Sequence, residues 1–204
     1  DKKMSISYLD GESLTIDRLF TILKNKDQIK LSDNAIDKVK KSRSVIEKII
    51  REKKTVYGVN TGFGKFSDIS IAEDKIDELQ KNLVMSHATG VGELLSEEIV
   101  RLIILLKINS LAKGFSGVRF EVIQTLIEMY HAGIMPIIPA KGSVGASGDL
   151  APLAHLTLVL IGMGEALFEG KRIYGSQAMK KAGIPSLTLK AKEGLALLNG
   201  LQVS

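Results

Sequence analysis

The chain has 204 residues, 45% hydrophobic and 25% charged, a balance that suits one or two ordinary globular domains with a substantial core. It has no cysteine, which excludes a disulfide framework, a paired-cysteine metal knuckle and a thiol nucleophile. Net charge is +5; with no tryptophan and no aromatic residue interleaved in the basic stretch, Lys38, Lys40, Lys41, Lys48, Lys53 and Lys54 read as the solvated face of an amphipathic helix rather than a nucleic-acid surface.

In chain order, Ser5 to Leu9 and Glu12 to Thr15 flank Asp10-Gly11, a dipeptide that favours a hairpin turn. Ile16 to Lys24 reads as a short helix. Asp33 or Asn34 is placed to cap a longer one, with Ile36, Val39, Ile46, Ile49 and Ile50 on its apolar face. Tyr57-Gly58-Val59-Asn60-Thr61-Gly62-Phe63-Gly64 then breaks the pattern with three glycines and two aromatics, the composition of a loop that carries function. Helical periodicity resumes from Ile71 to Val84 and runs into Ser86-His87, with Gly90 as a helix stop.

Ser96 caps a strongly apolar helix to about Ala112, ended by Gly114, and another covers Arg119 to Ala132, ended by Gly133. A further helix is expected over Leu150 to Leu167, with Asp149 as its N-cap and Pro152 in its first turn. Glu169-Gly170 is expected to turn a small hairpin, and short helices follow near Ser176 to Lys181 and Ala191 to Leu198. Runs such as Leu102-Ile103-Ile104-Leu105-Leu106 are apolar nearly all round, which implies deep burial in a helical bundle. No secretory signal follows Asp1, and the apolar runs are too short or too Gly-broken to span a bilayer. The expectation is a soluble, cytoplasmic, mainly α protein with no nucleic-acid and no membrane partner. The chain starts without methionine and stops just after a loop motif, and is read as a piece of something longer.

The densest stretch is Gly142-Ser143-Val144-Gly145-Ala146-Ser147-Gly148-Asp149-Leu150, with three glycines and two serines in nine residues. Such a loop at a helix entrance suits a turn, a phosphate cradle, a nucleophile's seat, or a backbone that itself reacts. A phosphate loop needs Lys-Ser/Thr after its last glycine, whereas Gly148 is followed by Asp149, whose carboxylate repels phosphate. A hydrolase elbow needs glycine two residues after the serine, and that position is again Asp149. The remaining chemistry uses Ala146-Ser147-Gly148. If the turn presses them together, the unshielded amide nitrogen of Gly148 can attack the Ala146 carbonyl; loss of water and then of the Ser147 hydroxyl would yield an exocyclic methylene on a five-membered imidazolone.

Four blocks occur in order: the Tyr57 loop; Asn82-Leu83 with Ser86-His87 and Gly90-Val91-Gly92; Gly142 through His155; and Asn199-Gly200. With them the chain resembles, over essentially its whole length, the ammonia-lyases that carry a 4-methylidene-imidazol-5-one (MIO) group, and among these the histidine-specific branch. The resemblance implies the N-terminal part of a large helical-bundle lyase with small β-hairpins. Residues 1–204 are then the MIO-bearing region, and a C-terminal helical region lies outside this chain. It further implies a cytoplasmic homotetramer that eliminates ammonia from L-histidine to give trans-urocanate, the first step of histidine degradation.

For the residues, the resemblance implies that Ala146, Ser147 and Gly148 form the electrophile, with Asp149 assisting, and that Tyr57 is in the catalytic site. An unperturbed phenol titrates near ~10, so the identity of the base stays open. Ser86-His87 stands where the family selects its substrate ring, and a histidine can hydrogen-bond an imidazole. Asn199 matches an asparagine that contacts the substrate carboxylate or the MIO oxygen; Leu201 departs from the usual threonine of that block. His131 and His155 match no role in it. The carboxylate-binding arginine and a second tyrosine belong to the later part of the family's chain, so residues 1–204 alone are expected to lack lyase activity. The alternatives are a phenylalanine or tyrosine ammonia-lyase or aminomutase of the same family, or a non-catalytic helical scaffold.

Overall fold

The structure, a computed structural model, describes residues 5–61, 71–72, 75–143 and 148–203. It opens with strand β1 (Ile6–Leu9), helix α1 (Ile16–Asn25) and strand β2 (Gln28–Leu31), and β1 pairs with β2 in parallel, from Ile6 opposite Gln28 to Leu9 opposite Leu31. The hairpin expected at Asp10-Gly11 is therefore corrected. The Asp10 carboxylate accepts the N–H groups of Glu12 and Ser13, and these bonds hold its pKa down at about 2. Gly11, at φ +83°, donates its N–H to Asn109 Oδ1 and so turns the chain away from β1. The hydroxyl of Thr15 then accepts the Arg18 N–H and starts α1.

Helix α2 (Asp33–Arg51) is capped by Ser32, whose hydroxyl accepts the Ala35 N–H, one residue before the expected cap. It buries Ala35, Val39 and Ile46. Helix α3 (Ile76–His87) starts later than its periodicity suggests and ends before Gly90, which leads into strand β3 (Val91–Leu94). Helices α4 (Glu97–Ala112) and α5 (Phe120–Ala132) form as expected, with Ser96 capping the first and left-handed Gly133 closing the second. Strands β4 (Met135–Pro136) and β5 (Pro139–Lys141) follow, and β5 pairs antiparallel with β3.

Helix α6 (Leu150–Leu160) is shorter than expected, because Gly162 and Gly164 take left-handed φ values of +74° and +62° and turn the chain into strand β6 (Glu165–Phe168). The β6 hairpin with β7 (Lys171–Tyr174) turns at Glu169-Gly170 as expected, and β4 adds to its other edge. Helices α7 (Gly175–Lys181) and α8 (Glu193–Leu198) complete the described chain.

The core is helical. Ile103, Ile104, Leu105 and Ile108 of α4 meet Val122, Ile123, Leu126 and Met129 of α5 and Leu153, Leu156, Val159 and Leu160 of α6, all buried. Each such side chain contributes roughly 1.5–3 kcal/mol on leaving water. Among the described residues no helix is long and apolar enough to cross a membrane.

Candidate active site

Helices α3, α6 and α8 pack against one another, sharing the buried cluster Leu83, Ala154 and Leu198. His87 is the last residue of α3, Asp149 precedes α6, and Asn199 follows α8. Gly148 forms an isolated parallel bridge with Gly200, and the Asp149 N–H donates to the Gly200 carbonyl at 2.8 Å. The loop before it is tied in as well. Gly90 N–H donates to His155 Nε2 at 3.0 Å, and a Cβ on Gly142 would lie 3.0 Å from Gly90 Cα. Residues flanking the second, third and fourth sequence blocks thus meet at one end of the three-helix cluster.

Gly148 has two independent reasons to be glycine. Its φ is +107°, and a Cβ there would approach the Gly200 carbonyl oxygen to 2.4 Å. Asp149 is the N-cap residue of α6, as expected, but it is 3% exposed and its carboxylate makes no cap hydrogen bond. It faces the other way: Oδ1 accepts the Ser143 hydroxyl at 2.8 Å and Oδ2 accepts the Val203 N–H at 3.0 Å. Asp149 therefore stitches the chain before the glycine-serine loop to the chain after α8. Ala146 and Ser147 lie outside the described residues. What is described fits the MIO reading: a backbone cradle that admits only glycine at Gly148, closed by a buried carboxylate.

His87 Nδ1 lies 2.8 Å from the Leu83 carbonyl and 3.1 Å from Ser86 Oγ. A carbonyl only accepts, so Nδ1 carries the proton, and in the neutral ring Nε2 is then an acceptor. Tyr57 is 59% exposed on a loop held by Asn60, whose side chain accepts the Val56 N–H and donates to the Lys54 carbonyl. Left-handed Gly58 sets that loop against α8, where a Cβ would meet Leu195 Cδ2 at 2.6 Å. The side chain of Asn199 is exposed, while its backbone carbonyl is held from inside by Lys107 Nζ at 2.6 Å.

Helix α8 is anchored at its start by Glu193, 0% exposed, which takes two bonds from the Arg119 guanidinium, further N–H groups from Arg119 and Lys190, and the nearby charge of Arg43. The Glu193 hydrogen bond raises the Arg119 pKa above its ordinary value. Sequence reasoning missed Ser143, Lys107 and His155. A readable signal existed only for Lys107, a lone lysine inside an apolar run.

The family profile of the aromatic amino acid lyases matches residues 14–204. The chain belongs to the aromatic amino acid lyase family. It is 53% identical over 195 residues to a protein named histidine ammonia-lyase from Caldanaerobacter subterraneus subsp. tengcongensis, covering 96% of this chain and 38% of that one. Among solved structures it matches histidine ammonia-lyase from Trypanosoma cruzi with a TM-score of 0.89 and 40% identity, covering 98% of this chain and 38% of that one. The ergothioneine-degrading enzyme ergothionase from Treponema denticola matches with a TM-score of 0.92 and 33% identity, covering 98% and 40%. The chain thus spans about two-fifths of the length of the family members it matches. As a family member it has the expected mainly helical fold with small strand pieces.

Proposed function

We propose that the full-length protein built on this chain is a histidine ammonia-lyase that converts L-histidine to trans-urocanate and ammonia. It acts as a cytoplasmic homotetramer with no nucleic-acid or membrane partner. The observation that carries the reading is the glycine-only cradle at Gly148, closed by the buried Asp149 carboxylate, in a chain of this family. Ala146, Ser147 and Gly148 would supply the MIO group, an electrophile that no standard side chain offers.

The chain's own side chains have separate tasks. Asp149 fixes the loop on both sides through Ser143 and Val203. His87 Nε2, an acceptor because Nδ1 is committed to Leu83, receives the N–H of the substrate imidazole. An apolar ring offers no such donor, which favours histidine over phenylalanine within the family. Asn199 offers an amide to the substrate carboxylate, and Tyr57 brings its phenol on the loop that α8 supports.

Intact-mass measurement on the full-length protein tests this. The wild type should be lighter than its sequence by two waters, and Ser147→Ala should restore the full mass. A wild type at full mass contradicts the reading and favours a helical scaffold with an uncyclised loop.

A further inference from the structure

Lys107 sits in the middle of α4 at 1% exposure, the bulkiest of the fully buried side chains among the described residues. None of the described ion pairs includes it. Its Nζ instead donates to two backbone carbonyls at the end of α8, Ala196 at 2.9 Å and Asn199 at 2.6 Å. Burying an ammonium without a carboxylate is unfavourable, so the position is expensive to maintain for packing alone. Desolvation lowers its pKa from 10.5 to about 7, and a neutral amine still has two N–H groups for two carbonyls.

What those carbonyls position is the decisive point. The carbonyl next after Asn199 is that of Gly200, which accepts the Asp149 N–H, and Gly200 is the residue bridged to Gly148. The Gln202 side chain lies close against it: a Cβ on Gly200 would meet that side-chain oxygen at 2.0 Å. A hydrogen-bonded path therefore runs from the core of α4, through Lys107 and Asn199, to the Gly200 backbone paired with Gly148 and Asp149.

We propose that Lys107 is a positioning residue for backbone cyclisation: by fixing the Asn199 carbonyl it sets the Gly200 peptide against which Gly148 is folded, and so the approach of Gly148 N to the Ala146 carbonyl carbon. The proposal rests on the lyase reading above. In the reaction a bond forms between Gly148 N and Ala146 C. The Ala146 oxygen leaves as water with the amide hydrogens of Gly148 and Ser147, and the Ser147 hydroxyl leaves as a second water with its Cα hydrogen. No oxidant, reductant or other co-reactant is needed. Lys107 takes no part in these bonds; it holds the frame in which they form, and small misplacements of reacting atoms slow reactions strongly.

The test uses the full-length protein as wild type, Lys107→Met and Lys107→Arg, with intact mass, kcat and KM for L-histidine, and circular dichroism. In Lys107→Met the fraction lighter by two waters should fall roughly tenfold or more, kcat should fall with it, and KM should stay near the wild-type value. Lys107→Arg, which keeps N–H donors, should recover most of the deficit. A folded Lys107→Met protein with the full deficit and unchanged kcat overturns the proposal. It is also overturned if neither variant folds, because the lysine is then a requirement of the fold. A wild type at full mass overturns the lyase reading and this proposal together, and is recognised by the absence of any deficit to lose.

Discussion

His87 carries the argument for substrate choice, and it does so through a tautomer. Because the Leu83 carbonyl occupies Nδ1, the imidazole presents Nε2 as an acceptor, which suits a substrate ring that donates an N–H. Replacing it by leucine leaves that N–H without a partner, a cost of about 1–3 kcal/mol. The expected outcome for His87→Leu in the full-length protein is a roughly ten- to hundredfold loss of kcat/KM on L-histidine, with the two-water mass deficit intact. Unchanged kcat/KM would remove His87 from the site. Gly148 and Asp149 act differently: they shape the backbone, and neither is expected to choose the ring.

At the scale of elements, two histidines act as straps. His131 Nε2 accepts the Ile29 N–H at 2.8 Å and docks β2 on α5, and His155 Nε2 accepts the Gly90 N–H and docks the loop before β3 on α6. Burial lowers both pKa values below the ordinary 6.5, partly opposed at His131 by Glu128. On acidification the unfolded chain therefore takes up these protons first. The stability that the straps contribute is complete above 6.5 and is lost as pH falls through the folded-state values. The Tm of the wild type should fall more between pH ~7.5 and ~5.5 than that of His131→Gln/His155→Gln, whose amide oxygens accept at any pH in this range. Equal slopes in thermal melts would contradict the assignment.

The same elements show what was readable beforehand. The helices and their caps at Ser96 and Gly133 follow from local periodicity and capping chemistry, whereas the capping residue Thr15 reads as strand from the sequence alone. The parallel pairing of β1 with β2 and the β3–β5 pair were not readable, because strands of three or four residues carry too little alternation and their partners lie far along the chain. Of the candidate site, the glycine-serine loop and His87 stand out as motifs, whereas His155 acts through the distant backbone of Gly90 and Ser143 through the Asp149 side chain, and neither bond has a local signature. Asp149 holds the N-cap position as expected, but the bond its carboxylate takes from Val203 was not readable, because that partner is 54 residues away.

At the scale of the whole molecule, the proposed function assigns to this chain the electrophile-forming loop, the ring-selecting histidine and the strut from Lys107. The family members it matches are more than twice as long, and the resemblance implies that the carboxylate-binding and further catalytic groups belong to the part beyond this chain. Residues 1–204 alone are accordingly expected to release no ammonia from any amino acid. The most direct test is steady-state ammonia release by the purified full-length protein on L-histidine, L-phenylalanine and L-tyrosine, with the 204-residue chain assayed beside it. The expected result is turnover of L-histidine to trans-urocanate by the full-length protein alone. Preferred turnover of phenylalanine or tyrosine, or none with any of the three, would contradict the proposed function.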